Sequence, residues 1–473
     1  MAKPFPTDNI FLNNNFAPVR MESDAPDLII EGEIPRELHG VLHRNSPNPQ
    51  YAPWSQHHHW FMGDGMIHAF HIEDGKISYR NRWVRTEKFK HERKLGEAVI
   101  ATDFADIMNQ DPRAEGIPLT VANTNALMHA GKLLALEEAS PATAMDPITL
   151  ETLGPIDFEG GYDGPVTAHP KVDPNTGELI FFGAMANGPG SPEIAYNVAD
   201  KNGKLTEAGS IMGPYGSMIH DFMVSRDHVA MPVMPASIDI EAIFDGGDFI
   251  QWKPELGNHI GVFSRKDGPD TARWFTNEAS YVFHTLNMFE EDGKVIADVL
   301  QFDRLPLFDD PTAGEMDMGN INSALFRWTF DLNGNTDTYK AEQLDDFFGE
   351  FPRYDERFFG QKHKYGYFAI RTAELDDAEG PFDTILARNF ETGHRDEWVA
   401  GEGCYIQEPV FVPRSDDAPE GDGWILTVAW DRRTNTSDLV ILNALDVASG
   451  PVGRAKLPTR VPYGFHGNWH PLS

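Results

Sequence analysis

Histidine is the residue whose placement in this sequence could do chemistry. Four stand in apolar or aromatic company: His169 in VTAHPKVD, His220 in SMIHDFMV, His284 in YVFHTLN and His466 in YGFHGNW. A charged imidazolium is costly in such surroundings, whereas a neutral, metal-ligating imidazole is tolerated. The four are too widely spaced for one loop or helix to carry them, so a shared ion would need strands from different parts of the chain to converge. The same criterion keeps His43, His68 and His129 as alternatives. HHHW (57–60) and HAFH (68–71) look like ready-made clusters. Consecutive strand residues point to opposite faces, however, so at most His57 and His59 could share a metal.

Other chemistries lack local support. No P-loop occurs, since every Gly-Lys pair is followed by Ile, Leu or Val. GDGMIH (63–68) and GEGCYI (401–406) begin like a dinucleotide fingerprint but lack its last glycine. There is no serine-hydrolase elbow and no HExxH zinc motif. The single cysteine, Cys404, excludes a disulfide framework, an iron–sulfur cluster and a thiolate zinc site, and fits a reducing compartment. With 39 Lys+Arg against 73 Asp+Glu, the net charge of −34 argues against nucleic acid and against anionic lipid. Its plainest consequence is solubility. No signal-like apolar region and no apolar run of spanning length is present, so the expectation is a cytoplasmic protein without stable membrane insertion.

The elements that must position the histidines are β-strands. Strand-like runs meet at Asp-Gly or Asn-Gly pairs in HIEDGKISYR (71–80), DKNGKLTEAG (200–209), EEDGKVIADVL (290–300), DLNGNTDTYK (331–340) and GDGWILTVAW (421–430), with DPNTGELIFFG (173–183) a looser version. These dipeptides supply the positive φ angles of tight hairpins. Helical periodicity is scarce, and its best candidates are PRELHG (35–40) and QLDDFFGEF (343–351). The pattern predicts a large all-β protein, and a propeller closes such a chain without long exposed edges. No blade-length repeat is visible. No composition break divides the chain, so one domain is expected over 1–473, with residues 1–25 as an N-terminal arm.

Seven segments in order resemble the carotenoid cleavage oxygenase family: IEGEIPRELHGVLHRNSPNP (30–49), HHHWFMGDGMIHAFHIEDG (57–75), VANTNALMHAGKLLALEE (121–138), TAHPKVDPNTGELIFFG (167–183), MIHDFMVS (218–225), EPVFVPR (408–414) and LPTRVPYGFHGNW (457–469). The resemblance implies a seven-bladed β-propeller with its active site on the axis, capped by loops and short helices. It also implies one Fe(II) per chain on His169, His220, His284 and His466, backed by Glu138, Glu350 and Glu408. The activity it implies is oxidative cleavage of a conjugated C=C bond into two carbonyls, with O₂ as co-substrate and no nicotinamide or flavin. Imidazole suits Fe(II), and four neutral ligands leave two octahedral positions open.

Within the family the chain is most similar to the bacterial branch that cleaves stilbenes and propenylphenols such as isoeugenol, as in WKPELGNHIGV (252–262) and YDERF (354–358). Phe61, Tyr281, Phe283 and Phe465 would suit a small, flat, hydrophobic conjugated substrate, although each could equally be core. That branch holds a phenol oxygen with a tyrosine and a lysine. Asp103 and Glu137 stand in their places here, with Phe104 the alternative to Asp103. A glutamate repels a phenolate that a lysine would stabilise. Three readings follow: the substrate lacks the phenol, is held by another group, or presents a donor to Glu137. Apocarotenoid cleavage is the main alternative, and a calcium-dependent propeller hydrolase or a silent scaffold the more distant ones.

Overall fold

The computed structural model describes residues 3–54, 57–104, 111–240, 249–308, 322–372, 375 and 379–472. Met1 and Ala2 of the expected arm, and Ala105 and Asp106 of the IATDFAD motif, lie outside them. The fold is a seven-bladed β-propeller of antiparallel sheets, most with four strands in chain order, and a two-stranded sheet, Ala236–Ser237 with Gln251–Trp252, is added to them. No helix among the described residues is long and apolar enough to cross a membrane.

The chain divides into two compact units, Met1–Ile156 with Tyr367–Ser473, and Asp157–Gly366. In the first, strands from both ends of the chain share sheets. Gly467–Pro471 pairs with Gly40–Pro47, matching Arg44 to Gly467, and Ile29–Gly32 pairs with Pro451–Lys456. Its core packs Leu42, Phe70 and Ile72 against Leu426, Leu439 and Ile441. In the second unit, Ile180, Phe182 and Tyr196 pack with Phe222, Val229 and Phe263.

All six expected turns connect antiparallel strands. Asp74–Gly75 and Asp292–Gly293 form two-residue loops with both φ values positive, the geometry whose twist matches the strands it joins. Ala130–Gly131 makes the same turn between Asn125–His129 and Lys132–Leu136 without the asparagine or aspartate that would have marked it.

Both expected helices are corrected. PRELHG is a turn leading into strand Gly40–Pro47. Residues 343–351, where Leu344, Phe347, Phe348 and Phe351 mimic a helical stripe, belong to strands Lys340–Asp345 and Gly349–Arg353. Pairing of the first with Ser323–Phe330 overrides the local period.

Among the described residues the α-helix is Glu87–Leu95 instead. Thr86 caps it by accepting from the Phe89 N–H, and Gly96 (φ 81°) ends it in the left-handed conformation. Its buried face carries Lys88 and Glu92 beside Phe89, so it has no apolar stripe to read. Lys88 Nζ lies 2.8 Å from Asp64 and 3.1 Å from Glu92, all three side chains being buried. Glu92 accepts from the Val99 and Ile100 amides, and Asp64, from the GDGM segment, accepts from the Gln50 amide. Removing the ammonium leaves two buried carboxylates uncompensated. Lys88→Met should lower unfolding stability by about 3–5 kcal/mol, read as the urea midpoint; a wild-type midpoint would show that the network is not stabilising.

Candidate metal centre

Each of the four histidines singled out by context stands one to three residues before an edge strand of its sheet. His169 precedes Lys171–Val172, His220 precedes Met223–Val224, His284 precedes Thr285–Glu291 and His466 precedes Gly467–Pro471. At such a position the backbone is fixed by the ladder on one side, while the side chain leaves the sheet at its end.

Three of them meet within the second unit. The Nε2 atoms of His169 and His220 are 3.0 Å apart, and those of His220 and His284 are 3.1 Å apart. Such spacing suits either an N–H···N bond between rings or, with every Nε2 lone pair turned inward, a shared cation. For metal–imidazole bonds of about 2.1 Å, nitrogens at right angles lie about 3.0 Å apart and nitrogens at tetrahedral corners about 3.4 Å apart. The observed distances are nearer the right-angled case.

Orientation comes from carboxylates behind the rings. His284 Nδ1 donates to Glu350, which also accepts from the Phe351 amide at 2.6 Å. Phe351, held at φ 54°, stacks its ring 5.6 Å from that of His284. In the first unit His466 Nδ1 donates to Glu408 at 2.9 Å. Glu408 accepts further from the Gly467 amide, and buried Arg44 stands 3.6 Å away. The backbone of His466 is pinned on both sides, donating to Thr124 O and accepting from the Asn45 N–H. A carboxylate at Nδ1 places the ring proton there and leaves the Nε2 lone pair for a metal. Glu138 is half-buried just after strand Lys132–Leu136.

His169, His220 and His284 of the second unit form a histidine group whose candidate ligand atoms all lie within 4.8 Å of one another. Among the described residues no carboxylate cluster of the kind a calcium-dependent hydrolase needs accompanies it.

A model of the retinal pigment epithelial membrane protein family matches residues 16–471. The chain belongs to this family, that of the carotenoid cleavage oxygenases. It is 38% identical over 463 residues to isoeugenol monooxygenase of Pseudomonas nitroreducens, covering 96% of each chain. It is 36% identical over 466 residues to lignostilbene-alpha,beta-dioxygenase isozyme III of Sphingomonas paucimobilis, covering 96% of this chain and 95% of that one. The crystal structure of Pseudomonas brassicacearum lignostilbene dioxygenase superposes with a TM-score of 0.95 at 35% identity over the whole of both chains.

The residues expected around a substrate fall into two sets. Phe61 belongs to an aromatic cluster of the first unit, 5.5 Å from Phe465 and 4.7 Å from His59, whose ring also meets Phe104 at 5.1 Å. Asp103 is partly exposed beside Phe104. In the second unit Phe283 stands edge-on to His220 at 5.0 Å. Tyr281 is fully buried behind it, 4.9 Å from Phe283, with its hydroxyl donating to Met218 O.

Glu137 is engaged by the protein itself. Its carboxylate accepts from the Val121 and Ala122 amides at 2.5 and 2.8 Å, pinning a turn in which Ala122 has φ 48°. Burial raises its pKa, while the Ser140 hydroxyl and those two amides pull the other way. The charge expected to repel a phenolate is thus directed at backbone N–H groups. Ungapped motif matching could not reveal this, because the partners lie 15 and 16 positions upstream on a turn that only the fold brings back.

Three further buried histidines stand outside the group, two of them with hydrogen-bonded rings. His43 Nε2 bonds Pro147 O, His68 lies between Ser46 Oγ and the Tyr79 hydroxyl, and His58 is buried. Burial drives His43 down to about 4 and His58 and His68 down to about 3. Each stays neutral in the folded chain, whereas its unfolded counterpart takes up a proton below about pH 6.5. Their contribution is complete above that pH and falls away towards the folded values, by roughly 2 kcal/mol per histidine at pH 5. Urea denaturation of metal-free protein at pH 7 and pH 5 should show the loss, and His68→Gln should flatten it by about one histidine's share. An unchanged pH dependence in that variant would refute the assignment.

Proposed function

We propose that this chain is a non-haem iron oxygenase that uses O₂ to cleave the C=C bond of a conjugated aromatic substrate of the stilbene or propenylphenol type. The observation that carries the reading is the 3.0 and 3.1 Å spacing of the three imidazoles His169, His220 and His284 in the second unit. His169, His220, His284 and His466 are the proposed ligands. Fe(II), when bound, supplies the one-electron chemistry that lets O₂ react with an alkene.

What the chain itself does follows from its side chains. Four neutral imidazoles leave the metal's charge undiminished, and Glu350 and Glu408 place negative charge one hydrogen bond behind two of them, making those rings stronger donors. Glu138 is the proposed third such carboxylate. Phe283 and Phe465, each next in sequence to a proposed ligand, exclude water and offer flat apolar surface, with Phe61 extending it. Tyr281 supports Phe283 from behind. Because Glu137 is held by backbone amides, it is not proposed as a substrate contact; Asp103 and Phe104 remain at the polar end of the aromatic cluster. The isoeugenol and lignostilbene specificities of the relatives support a phenylpropenoid-sized substrate.

Anaerobic reconstitution should yield one iron per chain by elemental analysis, and His284→Ala should abolish both binding and turnover. Glu350→Gln should lower metal affinity or turnover about 10–100-fold. Full iron and activity in His284→Ala would overturn the ligand set. The Fe(II) protein should then be incubated in air with stilbenes, isoeugenol, 4-vinylguaiacol and apocarotenals, and the carbonyl products weighed. Aromatic aldehydes are expected. Cleavage of apocarotenals alone would replace the substrate class, and no product from any of them would sink the activity.

A further inference from the structure

Asp221 directly follows His220 and is almost completely buried. Its carboxylate joins three separated parts of the second unit. Oδ2 accepts from the Thr285 N–H at 2.9 Å and from the Thr285 hydroxyl at 2.8 Å. Oδ1 accepts from the Phe222 N–H at 2.8 Å and from Lys171 Nζ at 2.6 Å. Thr285 is the residue after His284, and Lys171 lies two residues after His169. One side chain therefore ties together the strand starts that carry His169, His220 and His284.

We infer that Asp221 is a positioning residue that sets the spacing of these three imidazoles; the inference rests on the metal-centre reading above. Edge strands alone would not give that spacing. Lys171–Val172 and Met223–Val224 are two-residue strands, each paired on one side only, so their ladders resist sliding weakly. Asp221 adds a short, charge-assisted cross-link between the segments, at most two residues from each histidine. Both carboxylate oxygens are used, and an amide cannot replace them because its nitrogen cannot accept. Lys171 is the partner that reaches solvent: it is partly exposed and its ammonium also lies 5.8 Å over the Phe222 ring.

The test uses the full-length protein with Co(II) as probe, its affinity measured by competition with a chromophoric chelator. The visible absorption of bound Co(II), weak when six-coordinate and intense when four-coordinate, reports geometry. Asp221→Asn should weaken Co(II) binding about 10–100-fold and intensify the spectrum, while the metal-free protein stays folded by circular dichroism. Thr285→Val, which removes one hydroxyl donor and keeps the amide, should shift affinity about fivefold in the same direction. Should Asp221→Asn fail to fold, Thr285→Val decides alone. Wild-type affinity and spectrum in a folded Asp221→Asn, or in Thr285→Val, would overturn the positioning role. The metal-centre reading fails separately, if wild-type protein binds no Co(II) or if His284→Ala binds it as wild type does.

Discussion

Three imidazole Nε2 atoms converging at about 3 Å cannot all point protons at one another, so the centre depends on which ring nitrogen carries each proton. Every other feature of the centre follows from that constraint. A carboxylate must sit behind a ring to hold its proton on the far nitrogen, as Glu350 does for His284 and Glu408 for His466. Those carboxylates must themselves be satisfied, which is why Glu350 takes the Phe351 amide and Glu408 the Gly467 amide beside Arg44. With lone pairs converging at about 3 Å, a cation would relieve the arrangement, so the proposed metal binding and the architecture of the site are linked.

The sheets meet this demand by a repeated device. A histidine just before an edge strand inherits the order of the ladder while its side chain is free of the sheet's packing. For His466 the strand in question is the last of the chain, paired with Gly40–Pro47 near its beginning. Completing that sheet and fixing that histidine are therefore the same event. In the second unit the edge strands are short, and buried side-chain bonds through Asp221 take over what main-chain ladders cannot do.

Acidity in this chain is of two kinds. Most of its carboxylates are solvated and contribute to the net charge of −34. A few are buried and act as acceptors for specific N–H groups: Glu92 and Asp64 around Lys88, Glu137 on the Val121–Ala122 turn, and Asp221 on Thr285. Composition cannot separate the two kinds, since they differ in burial and not in type. Glu137 shows the consequence. As a residue type it opposes a phenolate substrate; as a buried acceptor it is a strut for a neighbouring turn.

The sequence by itself determined the all-β class, the positions of most hairpins and a shortlist of histidines in apolar company. These rest on local chemistry: Asp-Gly and Asn-Gly pairs permit positive φ, and an apolar neighbourhood tolerates only a neutral imidazole. Seven ordered motifs then narrowed a shortlist that still held His43, His68 and His129. Tertiary structure decided what depends on distant partners. It turned the helical-looking stripe at 343–351 into strands, because Ser323–Phe330 offered a ladder. It made Glu87–Leu95 a helix whose buried face is charged, because Asp64 arrives from another segment to share Lys88. It gave His43 and His68 backbone and hydroxyl partners, and it brought Lys171, Asp221 and Thr285 to one carboxylate. A residue's chemistry is written in its type, but whether that chemistry faces a metal, a turn or another side chain depends on which segments the fold brings within hydrogen-bonding reach.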